Sequence, residues 1–192
     1  MIKRDQAFQV LARHFPDGIV VPVFQAAFDW MAIRPHPLNY LCTGAMGQAS
    51  SHALGLALGC PEHKVVILDG DGSLLMNLGS LVTIASVAPT NLIHFVCFNG
   101  LYEVNGRYPI PGASGIDFSL LAKAAGYRRT YSFSEIDALE SGINDVLTGD
   151  GPVFATLNVE QGEVYGHNFP ALHSATSRVA FRDALAQRMN LG

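Results

Sequence analysis

Charged residues are scarce in this sequence. Only 15% of its 192 residues are Asp, Glu, Lys or Arg, and the formal net charge is -4 at pH 7. Domains that bind nucleic acid carry a basic stripe, which is missing here, so we expect no nucleic-acid partner. Asp, Asn or Gly interrupts every apolar segment well before the roughly 18 to 20 residues that a membrane span needs. We therefore also expect no membrane association.

Cysteines and targeting signals are sparse as well. The cysteines Cys42, Cys60 and Cys97 are widely spaced and form no C-x-x-C motif. This pattern argues against a disulfide scaffold or a structural zinc site and favours buried, small apolar side chains. The N-terminal residues contain neither an apolar signal core nor a cleavage pattern. From these absences we expect a cytoplasmic protein.

Hydrophobic residues are abundant, at 49% of the sequence. A chain of this length suits one domain and is short for two, so we predict a single domain over residues 1–192 with a core at about residues 18 to 160. Some of the apolar surplus is expected to face another subunit, either a second copy or a partner chain; the alternative is a large ordinary core.

Strand-like and helix-like segments alternate through most of the chain. This alternation predicts an α/β fold with a doubly wound, mainly parallel sheet and helices on both faces. We predict one helix over residues 73 to 87, helix caps at Asp117 and Ser134, and a functional loop over residues 99 to 116.

The segment around residue 70 predicts a strand, a tight turn and a helix. Gly70 and Gly72 allow the backbone to approach a ligand closely, and amides at the start of the helix suit an anion. Asp71 is a poor partner for a bare phosphate, but it suits a Mg²⁺ ion that lies between the carboxylate and the phosphate. Asn99 closes the next predicted strand and can supply a second oxygen ligand, because parallel strands end at the same edge of a sheet.

Other phosphate and metal motifs do not fit this segment. A dinucleotide fingerprint needs glycine where Leu75 stands, and the lysine motif of a P-loop is absent. An EF-hand that begins at Asp69 would place Ser80 at the position of its bidentate glutamate. The G-x-S-x-G motif of a nucleophile elbow is absent too.

The motif Gly70-Asp71-Gly72, followed by Asn99 and preceded by Gly44-Ala45-Met46-Gly47, resembles the cofactor signature of thiamine diphosphate-dependent enzymes. The similarity lies in their diphosphate-binding, C-terminal domain. The resemblance implies thiamine diphosphate and Mg²⁺ as cofactors. It also implies that Met46 is an apolar wedge that bends the cofactor, and that the Gly44 carbonyl accepts a hydrogen bond from the aminopyrimidine.

The same resemblance implies roles for the residues after the two strands. The side chains of Asp71 and Asn99 and the carbonyl of Leu101 would bind Mg²⁺. The amides of Gly72 and Ser73 would hold the diphosphate.

Within this family, the sequence looks most like phosphonopyruvate decarboxylases and the beta subunit of sulfopyruvate decarboxylase. The resemblance implies a subunit of a 2-oxo acid decarboxylase with no certain catalytic residue of its own. The activating glutamate is expected from a partner chain, the alpha subunit, which has a pyrimidine-binding domain. A carboligase or oxidoreductase subunit stays open as an alternative, and so does a non-catalytic domain of this fold that binds a nucleotide or no cofactor.

Further polar residues stand outside these motifs. His94 is expected to be a satisfied buried histidine, and Asp69 to cap or orient the turn. Glu103 and Arg107 are expected either to meet an anionic substrate or to be solvated.

Overall fold

The computed structural model describes residues 1–41, 46–162 and 165–189. The strands in these residues are β1 (Ile19–Pro22), β2 (Val65–Gly70), β3 (Leu92–Phe98), β4 (Leu101–Tyr102), β5 (Tyr108–Pro109), β6 (Arg129–Phe133) and β7 (Val153–Asn158). The helices are α1 (Arg4–His14), α2 (Phe24–Ile33), α3 (Ala49–Gly59), α4 (Asp71–Met76), α5 (Ser80–Val87), α6 (Phe118–Ala125), α7 (Ile136–Thr148), α8 (Phe169–Leu172) and α9 (Ala175–Arg188).

Five of the strands form one parallel sheet in the order β1-β2-β3-β7-β6. This confirms the predicted α/β fold. In the register between β2 and β3, Gly70 lies opposite Cys97. Asp71 and Asn99 directly follow these neighbouring strands, and they therefore lie at the same edge of the sheet.

Helices cover both faces of the sheet because its strands are apolar on both sides. Successive residues of β2 alternate between the two cores: Val66 and Leu68 belong to one, Val65 and Ile67 to the other. The first core includes side chains of α1, α2 and α7, and the second includes side chains of α3, α5 and α6. The result is three layers with the sheet in the middle.

The prediction of one helix over residues 73 to 87 is wrong. The structure has two helices there, and α4 ends because Asn77 leaves the helical conformation with φ -143° and ψ 47°. The Asn77 side chain donates a hydrogen bond to the Gly47 carbonyl at 2.8 Å. This bond joins residues that are distant in sequence, so a continuous apolar pattern could not predict the break.

The two predicted caps have different outcomes. Asp117 accepts a hydrogen bond from the Leu120 amide at 2.9 Å, which confirms it as the cap of α6. Ser134 is not a cap, because α7 begins one residue later than expected, after Glu135, whose side chain makes no capping hydrogen bond. The helix start was therefore misplaced by one residue, a typical error at element boundaries.

The segment after β3 is more ordered than a plain loop. β4 and β5 pair as an antiparallel hairpin, and a short 3-10 helix, Glu103–Asn105, lies between them.

Cys60 and Cys97 are buried free thiols, as expected, whereas Cys42 lies outside the described residues. Among the helices described, none is long and apolar enough to cross a membrane.

Candidate functional site

A cavity lies beyond the carboxyl ends of β2 and β3. Parallel α/β sheets place their ligands at this edge. The residues that line it include most of the positions singled out in the sequence: Met46, Gly70, Asp71, Gly72, Ser73, Asn99 and Leu101. Its wall also contains residues from α1, α2 and the 3-10 helix: Arg4, Phe24, Gln25, Glu103, Val104 and Asn105.

Asp71 connects the ends of the two strands. Its Oδ2 atom accepts hydrogen bonds from the amides of Asn99 at 3.1 Å and Gly100 at 2.7 Å, and Oδ1 accepts one from the Gly72 amide at 2.7 Å. The residue is only 2% exposed. Burial raises the pKa of the carboxyl to about 6, although these amides favour its charged form. The protein thus holds a carboxylate in a place where its charge is costly without a cation.

The other two oxygen groups with a predicted metal role lie on the same segment after β3. Asn99 Oδ1 accepts a hydrogen bond from the Leu101 amide at 2.8 Å, and both residues line the cavity with Asp71. The Gln161 side chain donates a hydrogen bond to the Asn99 carbonyl at 3.2 Å. The structure therefore brings Asp71, Asn99 and Leu101 to one cavity.

These oxygen groups fit a hard divalent cation. Carboxylate, amide and carbonyl oxygens are the ligands that Mg²⁺ prefers, usually together with water and phosphate oxygens. No group of three His, Cys, Asp or Glu side chains that could hold a metal occurs among the described residues. The donor chemistry therefore suits Mg²⁺ with a phosphate ligand better than a metal held by side chains alone.

The turn after β2 contains two of the glycines that were predicted to lie near a phosphate. Gly72 cannot be replaced without rearrangement, because a Cβ atom there would lie 2.5 Å from the ring of Tyr102. At Gly70, a Cβ atom would meet no other atom within 4 Å, so this position opens into free space. Ser73 Oγ accepts a hydrogen bond from the amide of Gly47, whose φ of +81° favours glycine. The turn therefore lines the cavity with a closely packed backbone and without a side chain at residues 70 and 72.

Two predicted cofactor-binding residues, Met46 and Gly44, precede this turn in the sequence. Met46 lines the cavity, whereas Gly44 lies outside the described residues. Phe24, the first residue of α2, also lines the cavity and has a φ of +46°, a strained value for a bulky side chain. Such strain is frequent at binding sites.

A buried ion-pair network that no sequence motif indicated forms one wall of the cavity. Arg4 Nε donates to Asp29 Oδ2 at 2.5 Å, and Nη1 donates to Glu103 Oε2 at 2.7 Å. Burial alone would lower the pKa of Arg4, but the charges of Asp29 and Glu103 and the hydrogen bond to Asp29 contribute to a net rise. Gln25 extends the network, with Nε2 donating to Asp29 Oδ1 at 3.0 Å.

Two sequence signals could have revealed this network. Arg4 shares a helix face with Ala7, Phe8 and Leu11, all of which are buried. Asp29 is the only ionisable residue of α2, an otherwise mainly apolar helix. An isolated charge in a buried helix needs a partner of opposite sign.

Three other polar residues had predicted roles: His94, Asp69 and Glu103. His94 is fully buried, as expected, with Nε2 3.4 Å from Asp69 Oδ2 and Nδ1 3.4 Å from the Tyr127 hydroxyl. Asp69 Oδ1 accepts a hydrogen bond from the Gly70 amide at 2.9 Å, in line with the expected role at the turn. Glu103 is neither solvated nor free for a substrate, because it pairs with Arg4.

Comparison with known proteins identifies the family to which the chain is similar. The family described as "Thiamine pyrophosphate enzyme, C-terminal TPP binding domain" matches residues 21–157. The chain is 37% identical over 144 residues to a phosphonopyruvate decarboxylase of Streptomyces viridochromogenes, a match that covers 75% of this chain and 36% of that protein. It thus spans about a third of that relative's length.

A second relative matches along most of both chains. The sulfopyruvate decarboxylase subunit beta of Methanothermobacter thermautotrophicus is 36% identical over 163 residues, and 84% of each chain is covered. A solved structure of a Mycobacterium smegmatis protein, assigned as a thiamin diphosphate-dependent enzyme, superposes with a TM-score of 0.68 at 25% identity. That match covers 84% of this chain and 32% of the other.

Proposed function

The chain belongs to the thiamine pyrophosphate enzymes, as their C-terminal TPP-binding domain, and we propose that it is the thiamine diphosphate- and Mg²⁺-binding subunit of a 2-oxo acid decarboxylase. One observation carries the proposal. The buried carboxylate of Asp71, at the end of β2, is bonded to the backbone at Asn99 and Gly100, just after β3. Oxygen groups from two strands thereby share one cavity with a glycine-rich turn.

In this proposal, each predicted site residue that lines the cavity has a role. The Asp71 carboxylate, the Asn99 amide oxygen and the Leu101 carbonyl bind Mg²⁺, which in turn binds the diphosphate. Gly70 leaves free the space that the diphosphate needs, and Gly72 lets the turn pack closely against the Tyr102 ring. The amides at the start of α4, those of Gly72 and Ser73, offer hydrogen bonds to its oxygens.

The Gly72 amide is engaged with Asp71 Oδ1 at 2.7 Å. A metal ion bound to the same carboxylate would release this amide, which could then donate a hydrogen bond to a phosphate oxygen. Met46 gives the cavity an apolar wall, against which the middle of the cofactor packs. When bound, thiamine diphosphate supplies the electron sink that lets CO₂ leave a 2-oxo acid.

A partner chain completes the site in this proposal. The described carboxylates of the cavity all have partners: Asp69 contacts His94, Asp71 binds backbone amides, and Glu103 pairs with Arg4. None of these three is therefore free to protonate a pyrimidine ring. The relative from Methanothermobacter thermautotrophicus is itself named a beta subunit, which supports an alpha-type partner with the activating glutamate.

The surface also favours association with another chain. Leu58 on α3, Met76 on α4 and Val82 on α5 are 56%, 54% and 61% exposed. Exposed apolar side chains mark an interface where they form one patch, which we propose for these three helices. We assign these helices to contacts with the partner chain or with a second copy.

The substrate assignment rests on the named relatives. Both are decarboxylases of short 2-oxo acids with an anionic tail, phosphonopyruvate and sulfopyruvate. We propose a substrate of this class. An assay of CO₂ release across a panel of 2-oxo acids, including these two and pyruvate, tests the choice in the complex of both chains.

Cofactor binding is the first test of the function. Titration calorimetry of the chain with thiamine diphosphate, alone and with a pyrimidine-domain chain, is expected to show binding that requires Mg²⁺. Asp71→Ala is expected to abolish the binding, because it removes the only carboxylate among the three assigned ligands. Circular dichroism should show that the variant remains folded.

A matched aspartate serves as the control. Asp137 lies on the exposed side of α7, so Asp137→Ala is expected to bind the cofactor like the unaltered chain. The proposal fails if no Mg²⁺-dependent binding occurs even with the pyrimidine-domain chain present. Unchanged affinity of Asp71→Ala would refute the metal-ligand assignment.

A further inference from the structure

The backbone segment from Asn99 to Glu103 is anchored at both ends. At its start, the Gly100 amide donates to Asp71 Oδ2 at 2.7 Å, and the Leu101 amide donates to Asn99 Oδ1 at 2.8 Å. At its end, Glu103 is 9% exposed and accepts a hydrogen bond from Arg4 at 2.7 Å. The carbonyl of Leu101, an assigned metal ligand, lies between these two anchors.

The second anchor is itself held by several parts of the chain. Glu103 Oε1 also accepts a hydrogen bond from the Gly162 amide at 2.8 Å, while Arg4 Nη2 donates to the Gly162 carbonyl at 3.1 Å. Arg4 reaches α2 through Asp29. A guanidinium can serve these acceptors together because its five N–H groups have fixed directions in one plane.

We propose that Arg4 is a positioning residue for the metal site: through Glu103 it fixes the backbone of residues 101–103 and hence the Leu101 carbonyl. The inference rests on the proposed function, since it concerns the same Mg²⁺ site. It adds a role for α1, whose residues bind neither the metal nor the cofactor in the proposal above.

Charge alone does not account for an arginine at this place. A cation beside a metal site repels the metal, so the Arg4 charge by itself weakens Mg²⁺ binding. Arg4 is also a poor receptor for an anionic substrate, because Asp29 and Glu103 neutralise it and the Gly162 carbonyl takes a further donor. What Arg4 provides is a fixed geometry.

The substitution Arg4→Lys separates geometry from charge. Lysine keeps the positive charge, but its single ammonium group cannot reproduce the planar arrangement of the guanidinium. Arg34 supplies the matched control: it is also buried, and it donates to the carbonyls of Pro16 and Gly18 and to Asn39 Oδ1. It is absent from the cavity wall.

The affinity for the metal is the primary readout. Mn²⁺ replaces Mg²⁺, and its binding is followed by electron paramagnetic resonance at saturating thiamine diphosphate, with the full chain and a pyrimidine-domain chain. We expect Arg4→Lys to weaken Mn²⁺ binding about 10- to 100-fold, the usual effect of losing a group that orients a metal ligand. Arg34→Lys is expected to change it less than about twofold, because any loss of stability there leaves residues 99–103 in place.

A double variant tests the route through Glu103. Glu103→Gln keeps an oxygen acceptor but removes the charge that pairs with Arg4. If Arg4 acts through Glu103, the double variant Arg4→Lys with Glu103→Gln should bind Mn²⁺ about as weakly as Glu103→Gln alone. If the loss of Mn²⁺ affinity in the double variant equals the product of the two single losses, Arg4 does not act through Glu103.

Hydrogen exchange provides a readout that needs no metal. In the metal-free chain, Arg4→Lys is expected to speed exchange of the Gly100 and Leu101 amides, while amides of β3 keep their protection. Equal Mn²⁺ affinities for Arg4→Lys and Arg34→Lys, with unchanged exchange at both amides, would overturn the inference. If the unaltered chain binds no Mn²⁺, the proposed function itself is refuted. If the unaltered chain binds Mn²⁺ and the variants do not differ, only the role of Arg4 is refuted.

Discussion

The metal-free protein is expected to lose stability as the pH rises through the titration of Asp71. The ordinary pKa of an aspartate is 3.8, and burial raises that of Asp71 to about 6. Between these values the folded chain holds a proton that the unfolded chain has released. The stabilisation that this proton provides is present below the unfolded pKa and is lost as the pH rises through the folded pKa.

The size of the effect follows from the two pKa values. One pKa unit corresponds to about 1.4 kcal/mol, so the charged carboxylate costs about 3 kcal/mol at neutral pH relative to strongly acidic pH. Over the accessible range from about pH 4.5 to about pH 7.5, linkage predicts a loss of about 2 kcal/mol from this group. Asp71 is 2% exposed, so solvent screens little of this cost.

Asp71→Asn isolates this contribution, because asparagine does not titrate. The free energy of unfolding is measured by denaturant titration of both proteins at several pH values, without metal. Subtracting the curve of Asp71→Asn from that of the unaltered chain removes the other titrating groups. The difference is expected to fall by about 2 kcal/mol over this range.

Saturating Mg²⁺ and thiamine diphosphate are expected to remove this fall, because a bound cation stabilises the charged carboxylate. Parallel pH curves for the two metal-free proteins would refute the reasoning. A fall that persists with bound metal and cofactor would show that Asp71 does not meet the cation.

Two further substitutions test interactions that support the fold around the site. Asn91→Ala removes a buried amide that donates to the carbonyls of Ala57 in α3 and of Cys60 and His63 in the turn after it; we expect a loss of about 3 kcal/mol in denaturant titration, and a loss below about 1 kcal/mol would contradict this. Asp117→Ala removes the cap of α6 and is expected to cost about 1 kcal/mol in the same assay, with unchanged metal binding; an unaffected midpoint would show that the exposed cap contributes nothing.

Several features of the molecule followed from the sequence because their causes are local or periodic. The alternation of apolar strand and helix patterns predicted the α/β class, and β3 ends at Phe98, directly before Asn99, as expected. The resemblance to thiamine diphosphate enzymes, read from Gly70 to Gly72 and Asn99, is confirmed by the family match over residues 21–157. Because parallel strands end at the same edge of a sheet, Asp71 and Asn99 could be predicted from the sequence to lie close together.

Other features depend on contacts between distant residues and were missed. The helix break at Asn77 depends on a bond to Gly47, and the pairing of Arg4 with Glu103 spans nearly a hundred residues. Glu103 in particular could not be distinguished from a solvated loop charge, since its burial depends on where α1 packs.

The sequence by itself determined which groups meet at the candidate site: the oxygen groups of Asp71 and Asn99, the glycines beside Asp71 and the sheet that brings them together. Only the tertiary structure decided how these groups are held in place. Burial gives Asp71 its raised pKa, and the packing of α1 places Arg4 against the segment that carries Leu101. Motifs record which groups are needed locally, whereas desolvation and long-range ion pairs arise only when the elements pack together.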